Sequence, residues 1–232
     1  MLISRSVIST ARSLASVVFP EVCLGCGAPA RGNLPVCASC LRRLPPASTE
    51  AVRAELADRG ADAALLTRAA ALWTFDAGGT VQRVQHALKY RGRPRLGVPL
   101  GHLLAQAVTE AVPGWMPEIV APVPLARVRE LERGYNQAEG LAEGAADALG
   151  AAFAPTLVRR IRPTRSQTRL SNEQRWKNVD GAFALAEGAR VTGRRVLLVD
   201  DVLTTGATLL AATQPLADAG AEVGVAALAF AP

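Results

Sequence analysis

Apolar residues along the chain follow two patterns that predict strands and helices in alternation. Residues 196–199 are four apolar residues in a row, which is typical of a strand covered on both faces within a parallel sheet. Val81, Val84 and Leu88 instead recur at helical spacing. Further strands are predicted at 69–75, 118–123, 156–161 and 223–230. This alternation predicts an α/β fold in which helices cover a parallel sheet.

The segment after residue 199 carries the most specific chemistry in the chain. Asp200 and Asp201 come at the carboxyl end of the predicted strand, where parallel α/β sheets bind their ligands. Five small or hydroxyl-bearing residues then precede a helical segment: Thr204, Thr205, Gly206, Ala207 and Thr208. A glycine turn at a helix start directs several backbone N–H groups toward one anion, so this loop is predicted to bind a phosphate group. The alternative is an ordinary strand followed by a helix that Thr204 or Thr205 caps.

Residues 196–208 resemble the phosphoribosyl-pyrophosphate signature of the type I phosphoribosyltransferases at all thirteen positions. In that family the acidic pair binds the ribose 2′- and 3′-hydroxyls, and the following loop binds the 5-phosphate. The resemblance therefore implies that Asp200 and Asp201 hold the ribose, that residues 204–208 hold the phosphate, and that Mg²⁺ bridges the diphosphate. It also implies a type I phosphoribosyltransferase-like sheet covered by helices.

The cysteines form two C-x2-C pairs that lie within 18 residues and are separated by ten. They are Cys23, Cys26, Cys37 and Cys40, and the chain has no others. Two such pairs predict a tetrahedral four-thiolate Zn²⁺ site. We expect a structural role for it, because four thiolates leave no open coordination position for a substrate. Disulfides and redox-active C-x2-C pairs are the alternatives, but neither explains why all four cysteines cluster.

Positive charge is concentrated in one segment. The net charge of the chain is +6, and residues 157–177 contain six arginines and one lysine against a single glutamate. We predict a long polar loop at 162–177, which by analogy with the type I phosphoribosyltransferases closes over the site and contacts the diphosphate. The candidate diphosphate and lid residues are Arg127, Arg133, Arg165, Arg169, Arg175 and Lys177. Arg127 and Arg133 are predicted to lie in a strand-to-helix loop, because the prolines at 122 and 124 hold the chain before them extended. A nucleic-acid contact, with Trp176 as a stacking partner, is the alternative.

Length and composition suit one α/β domain with a small appendage. The chain has 232 residues, of which 50% are hydrophobic and only 4% aromatic. We predict an N-terminal amphipathic helix at 1–22, a zinc module at 23–45, a helical linker at 46–68 and a phosphoribosyltransferase-like domain at 69–232. No apolar run reaches the roughly 18 to 20 residues that span a bilayer, and no signal peptide is recognisable, so a cytoplasmic protein is expected.

Five segments, taken in order, resemble the ComF family of competence-associated, phosphoribosyltransferase-like proteins. They are the four cysteines, KYRG, PVPLARVRELERGYNQ, RPTRSQTRLSNEQRWKNV and VLLVDDVLTTGATL. Tyr135 stands where the family often has phenylalanine. The resemblance implies binding of phosphoribosyl pyrophosphate or a related ribose phosphate, with transfer of phosphoribosyl to a nitrogen acceptor. The alternatives are a non-catalytic DNA-uptake protein that binds single-stranded DNA, and a ligand-sensing regulator. The absence of a Walker A sequence argues against an ATP-driven motor.

Overall fold

The computed structural model describes residues 22–30, 33–90, 96–162 and 181–232. Apart from Val22, the amphipathic helix predicted at 1–22 lies outside the described residues. The same holds for four of the candidate lid residues, which are Arg165, Arg169, Arg175 and Lys177. The N-terminal helix and the lid therefore stay predictions.

Helices and strands alternate through the described residues and are numbered in chain order. The helices are α1 (Ala38–Leu41), α2 (Thr49–Ala57), α3 (Ala63–Thr67), α4 (Thr80–Tyr90), α5 (Gly97–Ala111), α6 (Arg127–Arg133), α7 (Gln137–Leu149) and α8 (Ala207–Asp218). The strands are β1 (Ala69–Thr74), β2 (Ile119–Pro122), β3 (Ala152–Phe153), β4 (Val158–Arg160), β5 (Phe183–Leu185), β6 (Arg195–Leu203) and β7 (Glu222–Phe230). Across these described ranges, no helix is both long and apolar enough to cross a membrane.

Five strands form one parallel sheet in the order β1, β7, β6, β2, β3. β2 pairs with one edge of β6, where Ala121 lies opposite Leu198, and β7 pairs with the other edge. β4 and β5 form a separate antiparallel pair. The parallel sheet confirms the α/β fold class that the sequence predicts.

Helices cover both faces of the sheet. Buried side chains from α4, α5 and α7 pack on one face, and those from α2, α3 and α8 pack on the other. Along β6, Leu197 and Val199 join the first group, whereas Val196 and Leu198 join the second, and all four are 0% exposed. Successive side chains of a strand point to opposite faces, so an unbroken apolar run is what two-sided burial requires.

Glycines allow α5 and α7 to cross with their backbones in contact. A Cβ atom added to Gly101 would lie 2.2 Å from the carbonyl oxygen of Leu141, and one added to Gly144 would lie 2.0 Å from that of Val98. Neither position has room for a side chain unless the helices separate. This crossing sets the position of α7, and the first residues of α7 reach the site described below.

The segment after β2 differs from the prediction. The sequence predicts a loop that carries Arg127 and Arg133, whereas Arg127–Arg133 forms α6. The residues of this segment are good helix formers, and Gly134 ends the helix at a φ of 83°, where its N–H donates to the carbonyl of Glu130. The prolines before it obscured this helix in the sequence.

The segment predicted as a linker, 46–68, packs against the sheet. It contains α2 and α3, and Val52 and Leu56 of α2 are both 0% exposed in the core on that side. The capping side chains of Ser48 and Asp62 accept hydrogen bonds from the first turns of the two helices. The division of the chain into domains stays a prediction.

Candidate functional site

A cleft opens at the carboxyl ends of β2 and β6, where the strand order reverses. The chain passes from β2 to β3 on one side and from β6 to β7 on the other, which makes this position the switch point of the sheet. The cleft has a volume of about 920 Å³. Asp200 and Asp201 line it from β6, Lys89 from α4 and Gln137 from α7. The acidic pair therefore lies where open α/β sheets bind ligands.

Asp201 joins three elements through its carboxylate. Its side chain accepts hydrogen bonds from Gln137 Nε2 at 3.0 Å and from Gln85 Nε2 at 3.1 Å, and its Oδ2 lies 2.7 Å from Lys89 Nζ. It is only 5% exposed. Burial by itself raises the pKa of Asp201, but the Lys89 ammonium and the two amide donors outweigh burial and lower it below its ordinary value. Asp201 is therefore held as a carboxylate between β6, α4 and α7.

Asp200 has a different environment because successive residues of a strand point to opposite faces. Its carboxylate accepts a hydrogen bond from the backbone N–H of Asp201 at 2.8 Å. Burial, and then the negative charge of Asp201, raise the pKa of Asp200 well above its ordinary value. Adjacent in sequence, the two carboxylates thus differ in both partners and pKa.

Hydrogen bonds fasten the start of α7 beside the acidic pair. Asn136 caps α7 by accepting from the N–H of Ala138 at 3.1 Å, and its Nδ2 donates to the carbonyl of Val123 at 3.0 Å, just after β2. The hydroxyl of Tyr135 donates to the carbonyl of Leu88 in the last turn of α4. The hydroxyl that phenylalanine lacks therefore ties α4 to the segment that leads into α7.

Sequence reasoning missed Gln85 and gave Lys89 no specific role. The two residues are four positions apart on α4, so they share one helix face, and both reach Asp201. Their four-residue spacing is the sequence feature that could have indicated a shared role. It becomes informative only once α4 is known to lie against the end of β6.

The predicted phosphate loop connects β6 to α8. Gly206 is the N-cap residue of α8 and has a φ of 69°, a backbone conformation that residues other than glycine rarely adopt. No side-chain hydrogen bond caps the helix. The first N–H groups of this 12-residue helix are therefore not occupied by a capping side chain. Thr208, in the first turn, lines the cleft, whereas Thr205 is buried and Thr204 is exposed.

Positive charge dominates the lining of the cleft. Six cationic residues line it: Lys89, Arg127, Arg129, Arg133, Arg160 and Arg162. Three acidic residues line it, Glu132 and the aspartate pair, so the excess is positive. Arg133 donates to Gln137 Oε1, and its guanidinium lies 5.2 Å from the centre of the Tyr90 ring. A cleft with this charge attracts anions.

The four cysteines converge on one point. Their Sγ atoms all lie within 4.8 Å of one another, and those of Cys26 and Cys37 are 3.9 Å apart. All four thiols are free. A tetrahedron with Zn–S bonds of about 2.3 Å has edges of about 3.8 Å, whereas a disulfide bond is about 2 Å long. The cluster therefore has the geometry of a site for one four-coordinate metal ion.

The pKa values of the two buried thiols differ widely. Cys23 Sγ accepts from the N–H groups of Gly25 at 3.3 Å and Cys37 at 3.2 Å. Burial raises the pKa of Cys23, but these backbone donors outweigh burial and lower it to about 6. Arg43 lowers the pKa of Cys40, yet burial and the other three thiols together raise it to about 11. Four thiolates this close need a cation among them, which a bound metal supplies.

The cysteine module packs directly on α4. Arg83 Nε donates to the carbonyl of Leu24 at 2.6 Å, inside the first cysteine turn, while its other nitrogens donate to Gly78 and Thr80 at the start of α4. Cys23 and Cys40 belong to the buried cluster that also contains the apolar face of α4. One helix thus runs from the cysteine module to the cleft.

Comparison with known proteins agrees with this geometry. The family described as phosphoribosyl transferase domain matches residues 92–232, which is more than half of the chain. Competence protein F of Haemophilus influenzae is 40% identical over 108 residues, which cover 46% of this chain and 47% of that protein. The DNA utilization protein YhgH of Salmonella typhi is 36% identical over 141 residues, 59% of this chain and 60% of that protein. The matched part thus spans about half to three fifths of these two relatives.

A match over most of the chain links it to the same set of relatives. The DNA utilization protein YhgH of Escherichia coli K12 is 30% identical over 203 residues, which cover 86% of this chain and 79% of that protein. Among solved structures, the glutamine phosphoribosylpyrophosphate amidotransferase of B. subtilis overlays with a TM-score of 0.40 and 24% identity, covering 62% of this chain and 30% of that one.

The fold, the cleft and the family match together define a phosphoribosyltransferase-fold protein. Within that class, the chain matches competence protein F and the DNA utilization protein YhgH, and it carries a four-cysteine cluster near its N-terminus. The chain belongs to the ComF family, as the five sequence segments indicate.

Proposed function

We propose that this chain binds phosphoribosyl pyrophosphate, or a related ribose 5-phosphate, together with Mg²⁺ in the cleft between β2 and β6. The supporting observation is that Asp200 and Thr208, which lies in the first turn of α8, line one cleft at the switch point of the sheet. A carboxylate accepts hydrogen bonds from sugar hydroxyls, and a helix N-terminus binds phosphate. These are the two recognition elements that a ribose 5-phosphate requires.

The 5-phosphate binds at the start of α8. The left-handed turn at Gly206 directs the first N–H groups of the helix toward one anion, and the glycine has no Cβ atom that would clash with the buried Leu56 side chain. The dipole of α8 adds partial positive charge behind those groups, and the Thr208 hydroxyl supplies another donor at the cleft wall. The buried Thr205 shapes the loop from within.

The diphosphate lies toward α6. Arg127 and Arg133, at the two ends of α6, line the same cleft as Asp200, and guanidinium groups suit phosphate oxygens geometrically. The Asp200 carboxylate is a hard oxygen donor of the kind Mg²⁺ prefers, so it fits this ion. When bound, Mg²⁺ neutralises charge on the diphosphate that departs.

The reaction that this arrangement serves is phosphoribosyl transfer to a nitrogen acceptor. The nitrogen lone pair forms a bond to C1 of the ribose while the C1–O bond to diphosphate breaks, and diphosphate leaves with the electron pair. The nitrogen then loses a proton to solvent. The chain contributes by orienting the ribose through Asp200 and by holding the leaving group through Arg127 and Arg133.

The cysteine module binds one structural Zn²⁺. The spacing of its four sulfur atoms supports a closed tetrahedral site, which has no position for a substrate. Its packing on α4 through Arg83 lets the metal support the helix that borders the cleft. Zinc here stabilises structure.

Isothermal titration calorimetry with phosphoribosyl pyrophosphate and Mg²⁺ tests the binding proposal. Wild-type protein should bind one ligand per chain. Asp200→Asn removes a charged acceptor, and the loss of about 1.5 to 3 kcal/mol should weaken binding roughly 10- to 150-fold. Asp218→Asn is the matched control, since it makes the same change at a carboxylate that is exposed at the end of α8 and does not line the cleft. Equal affinity in folded Asp200→Asn protein would contradict the proposal.

Diphosphate release tests the catalytic step separately. Protein with phosphoribosyl pyrophosphate, Mg²⁺ and a panel of nitrogen nucleophiles, such as ammonia and the nucleobases, should release diphosphate with at least one of them. Binding without release across a broad panel would instead support a ligand-sensing regulator.

The names of the relatives favour a second candidate, a protein of DNA uptake that binds single-stranded DNA. The cationic lining of the cleft is compatible with a nucleic-acid backbone. Titration with single-stranded DNA at two salt concentrations tests it, because phosphate contacts make the affinity fall as salt rises. DNA binding in a protein that ignores phosphoribosyl pyrophosphate would favour this candidate over the first.

A further inference from the structure

The carboxylate of Asp201 is already engaged in the ligand-free protein. A carboxylate offers about four acceptor positions. Gln137, Gln85 and Lys89 occupy three of them at 3.0, 3.1 and 2.7 Å, and only 5% of Asp201 is exposed. A ribose hydroxyl would therefore have to compete with donors that the fold holds in place.

The donors around Asp201 are themselves fixed by other contacts. Gln137 has its amide oxygen bound by Arg133, so turning the amide around would place two donors face to face. Lys89 lies in the last turn of α4, where Leu88 is bound by Tyr135, and its side chain is 22% exposed. Releasing its ammonium from Asp201 would leave a largely buried charge without its partner.

We infer that Lys89 is a positioning residue whose ion pair keeps Asp201 bound to the helices that border the cleft. Asp200 is then the carboxylate of the pair that contacts the ribose. The inference rests on the proposed ribose phosphate site and refines it. It departs from the equal roles that the sequence resemblance implies for the two acids. Asp201 instead holds α4 and α7 against β6 and keeps Asp200 oriented from the next position along the strand.

A double-mutant cycle in thermal unfolding tests the framework role without any ligand. The variants are Lys89→Met, Asp201→Asn and the combination of both, with Asp218→Asn as the exposed control. Each single variant leaves a buried group without its partner and should lower the unfolding midpoint by about 6 to 20 °C. The combination should lower it by clearly less than the sum, because no unpaired charge remains. Additive losses would overturn the inference.

Two further results of the same experiment are decisive. Lys89→Arg keeps the positive charge and should recover much of the midpoint that Lys89→Met loses. If Asp201→Asn alone does not fold, recovery of a folded protein in the combined variant supports the inference. Failure of both to fold would contradict it.

Measurements of ligand affinity distinguish this inference from the alternative that both aspartates have only a structural role. The combined variant replaces an ion pair by a neutral pair, so the net charge of the cleft is unchanged. Its affinity for phosphoribosyl pyrophosphate with Mg²⁺ should fall clearly less than that of Asp200→Asn, which should lose at least about tenfold, because only Asp200→Asn removes a group that contacts the ribose. Equal losses in the two proteins would overturn the inference. If wild-type protein binds no phosphoribosyl pyrophosphate, the proposed function fails, while the unfolding cycle still decides the role of Lys89.

Discussion

Replacing Gly101 with alanine disturbs the crossing that positions α7. The new Cβ atom would lie 2.2 Å from the carbonyl oxygen of Leu141, 2.8 Å from the backbone nitrogen of Ala145 and 2.9 Å from the Cα atom of Gly144. All three are backbone atoms of α7, so no change of side-chain rotamer relieves the contact. The two helices must move apart instead.

Two effects of opposite sign set the magnitude. Alanine favours a helix over glycine by about 0.8 to 1 kcal/mol. A carbon–oxygen contact needs about 3.3 Å, so the helices must separate by about 1 Å, and overpacking of this kind costs about 1 to 3 kcal/mol. Separation also loosens the packing of Leu104 and Leu141, which are both 0% exposed. We expect a net loss of about 1 to 2 kcal/mol, which lowers the unfolding midpoint by about 2 to 8 °C.

Thermal unfolding followed by circular dichroism measures this loss. Ala148→Gly, at an exposed position of α7, is the control, because it changes helix propensity without touching the crossing. It should cost about 1 kcal/mol. Since α7 carries Gln137, Gly101→Ala should also weaken phosphoribosyl pyrophosphate binding, whereas Ala148→Gly should not. A midpoint for Gly101→Ala at or above that of wild type would refute the steric reasoning.

Three other substitutions test separate parts of the molecule. Cys26→Ser removes one of the four thiolates, so metal content measured by mass spectrometry should fall from about one zinc per chain to well below one, and full retention would contradict a four-thiolate site. Tyr135→Phe removes the hydrogen bond to Leu88 and should lower the free energy of unfolding in urea by about 1 kcal/mol, whereas an unchanged value would show that the bond contributes nothing. Because the pKa of Asp200 is raised in the folded chain, its ionisation opposes folding above its ordinary pKa. Asp200→Asn should therefore unfold at a higher temperature than wild type at pH 7, with the difference vanishing below about pH 4, and a lower midpoint at pH 7 would contradict this.

Local patterns made the fold class and the tight turn before α8 predictable. The apolar run of β6 can be buried only within a sheet covered on both sides, and Leu197 and Leu198 do face opposite helix layers. Gly206 was recognisable because a tight turn before a helix favours glycine, and the structure gives it a φ of 69°. Both features depend on residues that are neighbours in sequence.

Long-range contacts were not predictable in the same way. Gln85 and Asp201 are 116 residues apart, and nothing in either segment indicates that they meet. The crossing of α5 and α7 depends on glycines whose helical positions are recognisable but whose partner helix is not. α6 was missed for a local reason, since the prolines before Arg127 suggest extended chain and mask the good helix formers that follow.

A crystal structure of the zinc-loaded chain with phosphoribosyl pyrophosphate and Mg²⁺ tests the central claim most directly. The proposal predicts one ligand in the cleft between β2 and β6, with its 5-phosphate within about 3.2 Å of backbone nitrogens in residues 206–208. A ribose hydroxyl should donate to Asp200, while Asp201 keeps its contact with Lys89. An empty cleft at saturating ligand, or a ligand bound elsewhere on the chain, would contradict the account.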